Sequence, residues 1–320
     1  MRIERLQIAA ALALVCVIWG STYFAMRVAL ESFPPFMMGA IRFLVAGAAM
    51  YAVLRARGER APARREWASA TMTGALMLVI GNGAVAFGQQ RVSSSVAAIV
   101  VATMPLWAVL FGRAFGDKPS VGELLGVGIG FVGVALLHTG GDLFSHGVNA
   151  FAMLLAPAGW ALGSVWSRRL PLPGGGGLMA TAAQMIAGGA LMALVSLAMG
   201  EHAFAARAVS VRSVLAIGYL ALFGSIVAFS AYGFLLRHAR TSTATSYAYV
   251  NPLIAVAIGV AIGGERVHVA TLAGAGVILG GVLVLSMARS AKAGPVAAPR
   301  VLHSSPADAA PSSEPLVARR

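Results

Sequence analysis

Apolar residues in this chain do not alternate with polar ones. They gather into long runs, separated by short segments rich in Pro, Gly and charge, such as Glu31 to Pro35 and Pro171 to Gly177. A run of about 20 apolar residues crosses a bilayer as an α-helix. Ten stretches approach that length: 8–29, 36–54, 67–89, 95–111, 121–138, 150–166, 177–198, 214–236, 243–262 and 269–287. Strands are excluded because the runs lack a two-residue period and backbone groups in lipid need partners within their own segment. Arg2 and Arg5 ahead of the first run suggest a signal peptide. The run continues past Trp19 and Tyr23 to Ala29 with no clear cleavage site, so it reads as an uncleaved first span.

The second signal is a duplication. Residues 102–118 read ATMPLWAVLFGRAFGDK and residues 248–266 read AYVNPLIAVAIGVAIGGER. Pro105 matches Pro252, Gly112 and Gly116 match Gly259 and Gly263, and Asp117-Lys118 matches Glu265-Arg266. Trp19 likewise falls opposite Trp160, and Arg42 opposite Gln184. Five spans per half is an odd number, so the second half is expected upside down relative to the first. Inverted halves of this kind enclose a substrate path and expose it to each side in turn. The expected fold is therefore all-α and membrane-integral, with ten transmembrane helices in two inverted five-helix repeats. The repeats cover 8–140 and 149–288, and a disordered tail rich in Ala, Pro and Ser covers 289–320.

Composition sharpens this picture. The chain has 320 residues, of which 58% are hydrophobic and 11% charged, and its mean hydropathy is +0.81. Soluble domains carry about 25% charged residues, so lipid must cover much of this surface. The formal charge of +13 lies between apolar runs rather than on one face, which argues against nucleic acid. It sets topology instead: Arg55, Arg57, Arg60, Arg64, Arg65, Arg113, Lys118, Arg168 and Arg169 all fall on the side of the N-terminus. By the positive-inside rule both termini are expected in the cytoplasm. Cys16 is the only cysteine, so disulfides and Cys-based metal sites are excluded.

The motifs carry a resemblance. IWGSTYFAMR at 18–27, the following Pro34-Pro35 and Arg42, Ile80-Gly-Asn-Gly83 and SSSVAAIVVATMPLW at 93–107 carry it in the first half. ALFGSIVAF at 221–229 and TSYAYVNPL at 245–253 carry it in the second. Across residues 8–288 the chain resembles a ten-span member of the drug/metabolite transporter superfamily with two EamA domains. The resemblance implies a bacterial inner-membrane exporter of small metabolites, with amino acids as common substrates and no cofactor.

Arg42 is the most informative single residue, because a charge near the bilayer centre costs about 2.5–3.5 kcal/mol. It can anchor a carboxylate or phosphate bidentately, snorkel to the interface, or tie neighbouring helices together. Glu31, Asp117, Glu123, Asp142 and Glu265 all fall in loops or at span ends. That argues against a proton-coupled exporter of lipophilic cations, which needs an acid inside the membrane. His138 sits at a span end, a position typical of an interfacial histidine. Pro105 and Pro252 are expected to kink their helices and free carbonyls beside a cavity. Thr103, Ser246, Tyr247, Tyr249 and Asn251 flank them. The amides of Asn82, Gln89, Gln90 and Gln184 suit either a zwitterion or an interhelical bond, and Trp19 and Trp160 are expected deep enough to line a cavity. Trp107 is a further cavity candidate, whereas Trp166 beside Arg168-Arg169 reads as an interfacial anchor.

Gly128-Ile-Gly130-Phe-Val-Gly133 fits the dinucleotide pattern GxGxxG, but that motif needs a strand before it. Inside a span it reads as helix packing, as do Gly274, Gly276, Gly280 and the two repeated glycine pairs, within the bundle or at a homodimer contact. The expected substrate contacts are Arg42, Asn82, Gln184, Tyr247 and Asn251, with Trp19 and Trp160, and the expected kinks lie at Pro105 and Pro252. The expected partners are a small-molecule substrate and the lipid bilayer. No metal cluster and no nucleophile with a base points to an enzyme. The alternatives are an exporter of anionic metabolites or lipophilic cations, or a non-transporting receptor or assembly protein.

Overall fold

The computed structural model describes residues 2–139, 147–201, 209–239 and 247–293. These residues form ten helical rods: α1 (Arg2–Ala29), α2 (Pro35–Ala56), α3 (Arg64–Gly88), α4 (Ser94–Ala114), α5 (Val121–Thr139), α6 (Val148–Ser167), α7 (Leu178–Ala198), α8 (Val211–Leu235), α9 (Tyr247–Ala261) and α10 (Val269–Ala293). Eight are long and apolar enough to cross a membrane by themselves. In α5 and α9 the apolar stretches are shorter, Val121–Leu137 and Tyr247–Ala261. No strand occurs among the described residues.

Local chemistry sets the ends of these rods. Pro35 opens α2, where its missing N–H costs nothing. Ser93 caps α4 by accepting from Val96 N at 3.3 Å, and Ser210 caps α8 by accepting from Ser213 N at 3.1 Å. At α5, Ser120 and Glu123 form a reciprocal capping box, with Ser120 N donating to Glu123 at 2.7 Å. Gly116, with φ of 94°, turns the chain out of α4. It therefore ends a helix, where packing was expected.

The helices pair in a pattern with its own symmetry. α5 packs along α10 and α2 along α7. α1 lies against α9 and α8, α6 against α4 and α3, α3 against α7 and α2 against α8. Exchanging each helix for the one five places along maps α1–α9 onto α6–α4, α1–α8 onto α6–α3 and α3–α7 onto α8–α2. It leaves α5–α10 and α2–α7 unchanged.

Gly130 and Gly133 of the GxGxxG stretch are packing surface. A methyl group added at Gly133 would lie 2.6 Å from Ile278 N, and one at Gly281 would lie 2.5 Å from Gly130 N. α5 and α10 therefore touch backbone to backbone. Gly274 joins this seam, but Gly128, Gly276 and Gly280 face open space. The seam uses Gly281, which the sequence pattern did not single out.

Two further departures concern the rods themselves. α3 and α8 each contain a π-helical segment, Ala75–Gly83 and Leu220–Val227. Nothing in the hydrophobic pattern announces them. α10 also continues as helix to Ala293, past the position where the tail was expected to begin. Residues 294–320, Asp142, Ser246 and the His138 side chain lie outside the described residues.

Candidate functional site

A cavity of about 100 Å³ lies between α1, α2, α3, α4, α6, α8 and α9. α1 contributes Trp19, Thr22, Tyr23 and Met26, and α2 contributes Arg42. α3 contributes Gly81, Asn82 and Val85, and α6 contributes Ala156 and Trp160. From α8 comes Phe229, and from α9 Tyr247, Ala248, Asn251 and Pro252. The break in α4 supplies Ala98, Val101, Ala102, Met104 and Pro105. Arg42 is the only charged residue in this lining among the described residues.

Arg42 is 4% exposed, so it does not snorkel. Its Nε donates to Ser225 Oγ at 3.0 Å, and Ser225 donates onward to Leu220 O at 3.1 Å. Both partners belong to the π segment of α8. Gly224 beside them leaves room for the guanidinium: a Cβ there would lie 3.3 Å from Arg42 Nη2. The Phe43 ring lies 4.7 Å from the guanidinium carbon. The structure thus holds one edge of the guanidinium through Nε, while the Nη groups donate to no protein acceptor among the described residues.

Trp19 also leans on this π segment, donating from Nε1 to Gly224 O at 3.2 Å. Its ring meets Tyr247 at 4.8 Å between centroids, and Phe229 and Tyr232 at 5.3 Å each. On the opposite wall Trp160 packs over Gly81, where a Cβ would lie 3.1 Å from its ring. Asn82 follows Gly81 in the π segment of α3, and its amide has no hydrogen-bond partner among the described residues. The two π segments therefore supply the free amide on one side and the arginine's support on the other. Single-turn π segments recur at functional sites because they re-aim side chains and unsettle backbone pairing.

The two prolines sit differently in their helices. α4 breaks into Ser94–Val101 and Met104–Ala114, with Pro105 just inside the second piece. Pro105 has no N–H for the Val101 carbonyl, and Val101 lines the cavity. α9 runs through Pro252 without interruption, although the Ala248 carbonyl loses its usual donor in the same way. With its nitrogen facing the carbonyls, the Asn251 amide donates to Tyr247 O at 3.1 Å and to Cys16 O at 3.2 Å. Asn251 thus joins α9 to α1 at the cavity edge.

Arg42, Asn82, Tyr247, Asn251, Trp19, Trp160, Pro105 and Pro252 all meet at this cavity. Gln184 does not. It donates to Thr73 Oγ1 at 2.9 Å and ties α7 to α3. Gln89 likewise donates to Tyr23 O at 3.1 Å, and Tyr249 to Val282 O at 3.0 Å. Trp107 packs against Phe131 at 5.2 Å and Trp166 against Phe115 at 6.1 Å, both away from the cavity. Thr22, Tyr23 and Phe229 line the site, and Ser225 supports it. All four lie inside the motifs already quoted, but hydrophobic pattern alone does not separate them from core residues.

Two segments, residues 7–139 and 148–287, each match the family model for the EamA-like transporter family. The chain belongs to that family. This places it among multi-pass membrane transporters rather than enzymes. The transporter is similar to the uncharacterized inner membrane transporter YedA of Escherichia coli (strain K12), with 42% identity over 291 residues, covering 90% of this chain and 94% of that protein. It is also similar, at 23% identity over 290 residues, to a probable amino-acid metabolite efflux pump of Salmonella typhimurium, covering 85% of this chain and 92% of the pump. A solved crystal structure shares the transporter's fold with a TM-score of 0.60 at 20% identity, covering 89% of this chain and 98% of the other.

Proposed function

We propose that this transporter exports small carboxylate-bearing metabolites, amino acids foremost, from the cytoplasm across a bacterial inner membrane by alternating access. The observation that carries this reading is the Arg42 guanidinium, fixed through Nε and with its Nη groups unclaimed, in a cavity lined by no acidic residue among those described. A carboxylate can take those donors bidentately. The ammonium of the same substrate would find the bared carbonyls of Val101 and Ala248 and the oxygen of the Asn82 amide, with aromatic faces around it. The similar efflux pump of Salmonella typhimurium supports an amino-acid-like substrate.

Alternating access draws its support from the exchange symmetry of the helix contacts and from the two successive family matches. We take the two matched segments as inverted halves, with both termini cytoplasmic by the distribution of Arg and Lys. The end of the bundle where α1 stops and α4 begins then faces outward.

The test is exchange in proteoliposomes loaded with a mixed amino-acid pool, following each labelled species, with Arg42→Ala and Arg42→Lys alongside. Saturable exchange lost in Arg42→Ala supports the reading. Exchange that survives the change reduces Arg42 to a tie between α2 and α8. Exchange of no amino acid removes that class, and anionic metabolites follow because the cavity's charge is positive. Lipophilic cations come last, since the lining offers them no carboxylate.

A further inference from the structure

Glu265 lies in the connection between α9 and α10, yet its side chain is 2% exposed. Its carboxylate sits on the first turn of α4. Oε1 accepts from Ser94 N at 2.9 Å and Ser94 Oγ at 2.6 Å, and Oε2 accepts from Ser95 N at 3.0 Å and Ser95 Oγ at 2.5 Å. Arg27, at the end of α1, completes the cluster as an ion pair. Burial opposes ionisation here, but the hydroxyl and backbone donors of Ser94 and Ser95 outweigh it and hold the carboxyl below its ordinary value. The charge therefore persists, and the cluster joins α1 and α4 of the first matched segment to the second.

Its partners lie beside two spaces, since Ala98, one turn past Ser94, lines the central cavity and Arg27 lines a second one. Met26 and Val85 line the central cavity, whereas Arg27 and Gln89, one residue and one turn further on, line an open depression of about 660 Å³ with Arg91 and Asn149. At the other end of the bundle Glu123 on α5 is also buried and pairs with Arg289 on α10 at 3.0 Å. Asp117, the repeat counterpart of Glu265, makes no side-chain hydrogen bond or ion pair among the described residues. Of the two repeat-related carboxylates, only Glu265 is engaged among the described residues, by five donors at the end of the bundle where α1 stops and α4 begins.

We propose that Glu265 is the gating residue of the outer mouth: the central cavity opens to the depression only when its carboxylate leaves Ser94, Ser95 and Arg27. This rests on the alternating-access reading and the orientation given above. The consequence is a defined intermediate of the transport cycle, in which one carboxylate travelling with the α9–α10 connection uncovers the first turn of α4.

The test uses thiol accessibility in the full chain. Cys16→Ser removes the only cysteine, and Val85→Cys or Ala98→Cys reports on the cavity. A membrane-impermeant maleimide is applied to the outer face of spheroplasts and, separately, to inside-out vesicles. Glu265→Gln is expected to raise the outside labelling rate about tenfold, the change in population that loss of one charge-assisted hydrogen bond produces. Ser94→Ala/Ser95→Ala is expected to raise it in the same direction, and it guards against one variant failing to fold. If both variants elute as the parent does and label from outside no faster, while the reporter still reacts from inside, the gate is overturned and the access reading stands. If the reporter reacts from neither side in any variant, the cavity is not on a path and both readings fall.

Discussion

Arg42 on α2 and Ser225 on α8 are joined across the cavity by a 3.0 Å bond from Nε to Oγ. The serine hydroxyl is itself committed to the Leu220 carbonyl, so it can only accept from the arginine. The pair fixes the direction in which the Nη groups point. Ser225→Ala leaves the charge in place and removes its guide. Apparent substrate affinity is expected to fall about 3- to 10-fold, the worth of one buried hydrogen bond, with little loss of maximal exchange. Concentration dependence of exchange in proteoliposomes checks this.

The Gly133–Gly274–Gly281 seam makes a packing prediction with a built-in control. Gly281→Ala places a methyl group 2.5 Å from Gly130 N, where only backbone could move. Thermal unfolding in detergent is expected to show a loss of about 1–3 kcal/mol, as overpacking produces. Gly280→Ala faces open space and is expected to leave stability unchanged or raise it by up to about 1 kcal/mol through helix propensity.

Pro105→Ala supplies the N–H that the Val101 carbonyl lacks. The two pieces of α4 are expected to fuse, stabilising the helix while withdrawing a carbonyl from the cavity. Transport is expected to fall as the melting temperature rises. A variant that melts higher and transports as fast as the parent would show that the break in α4 has no part in the site.

Glu265 gives a pH dependence whose sign follows from its lowered value. The outer closure is complete above the ordinary carboxylate value of 4.5 and is lost as pH falls through the still lower value in the folded protein. Arg27 is the charged group that faces it. The ratio of outside to inside labelling of Val85→Cys at one pH, in which the falling thiolate fraction cancels, is expected to rise below that range in the parent, and to change much less in Glu265→Gln.

Much of this site was legible because a few residues break the apolar pattern. Arg42, Asn82 and Asn251 are expensive in lipid unless they face a polar interior. Pro105 and Pro252 mark places where backbone pairing fails. These costs converge on one cavity because one cavity is where they are reduced. Gln184 has the same chemistry but spends it on Thr73, and nothing in its own neighbourhood tells the two outcomes apart. Glu265 was missed for the opposite reason. A carboxylate in a loop looks solvated, and only the pairing of the α9–α10 connection with the start of α4 buries it. The π segments also escape sequence reading, since Gly, Ala and Leu fit α and π turns alike.

Those π segments make the site sensitive to length in a way that substitution would not reveal. A π turn accommodates one residue more than the α-helix around it, and each residue advances a helix by about 100°. Removing a single residue from Ala75–Gly83 would let α3 settle into an ordinary helix and swing Val85 away from the cavity relative to Gly81. A matching loss from Leu220–Val227 would carry Phe229 away from Trp19. The register of the two walls is thus written in the number of residues in each segment as much as in their identity.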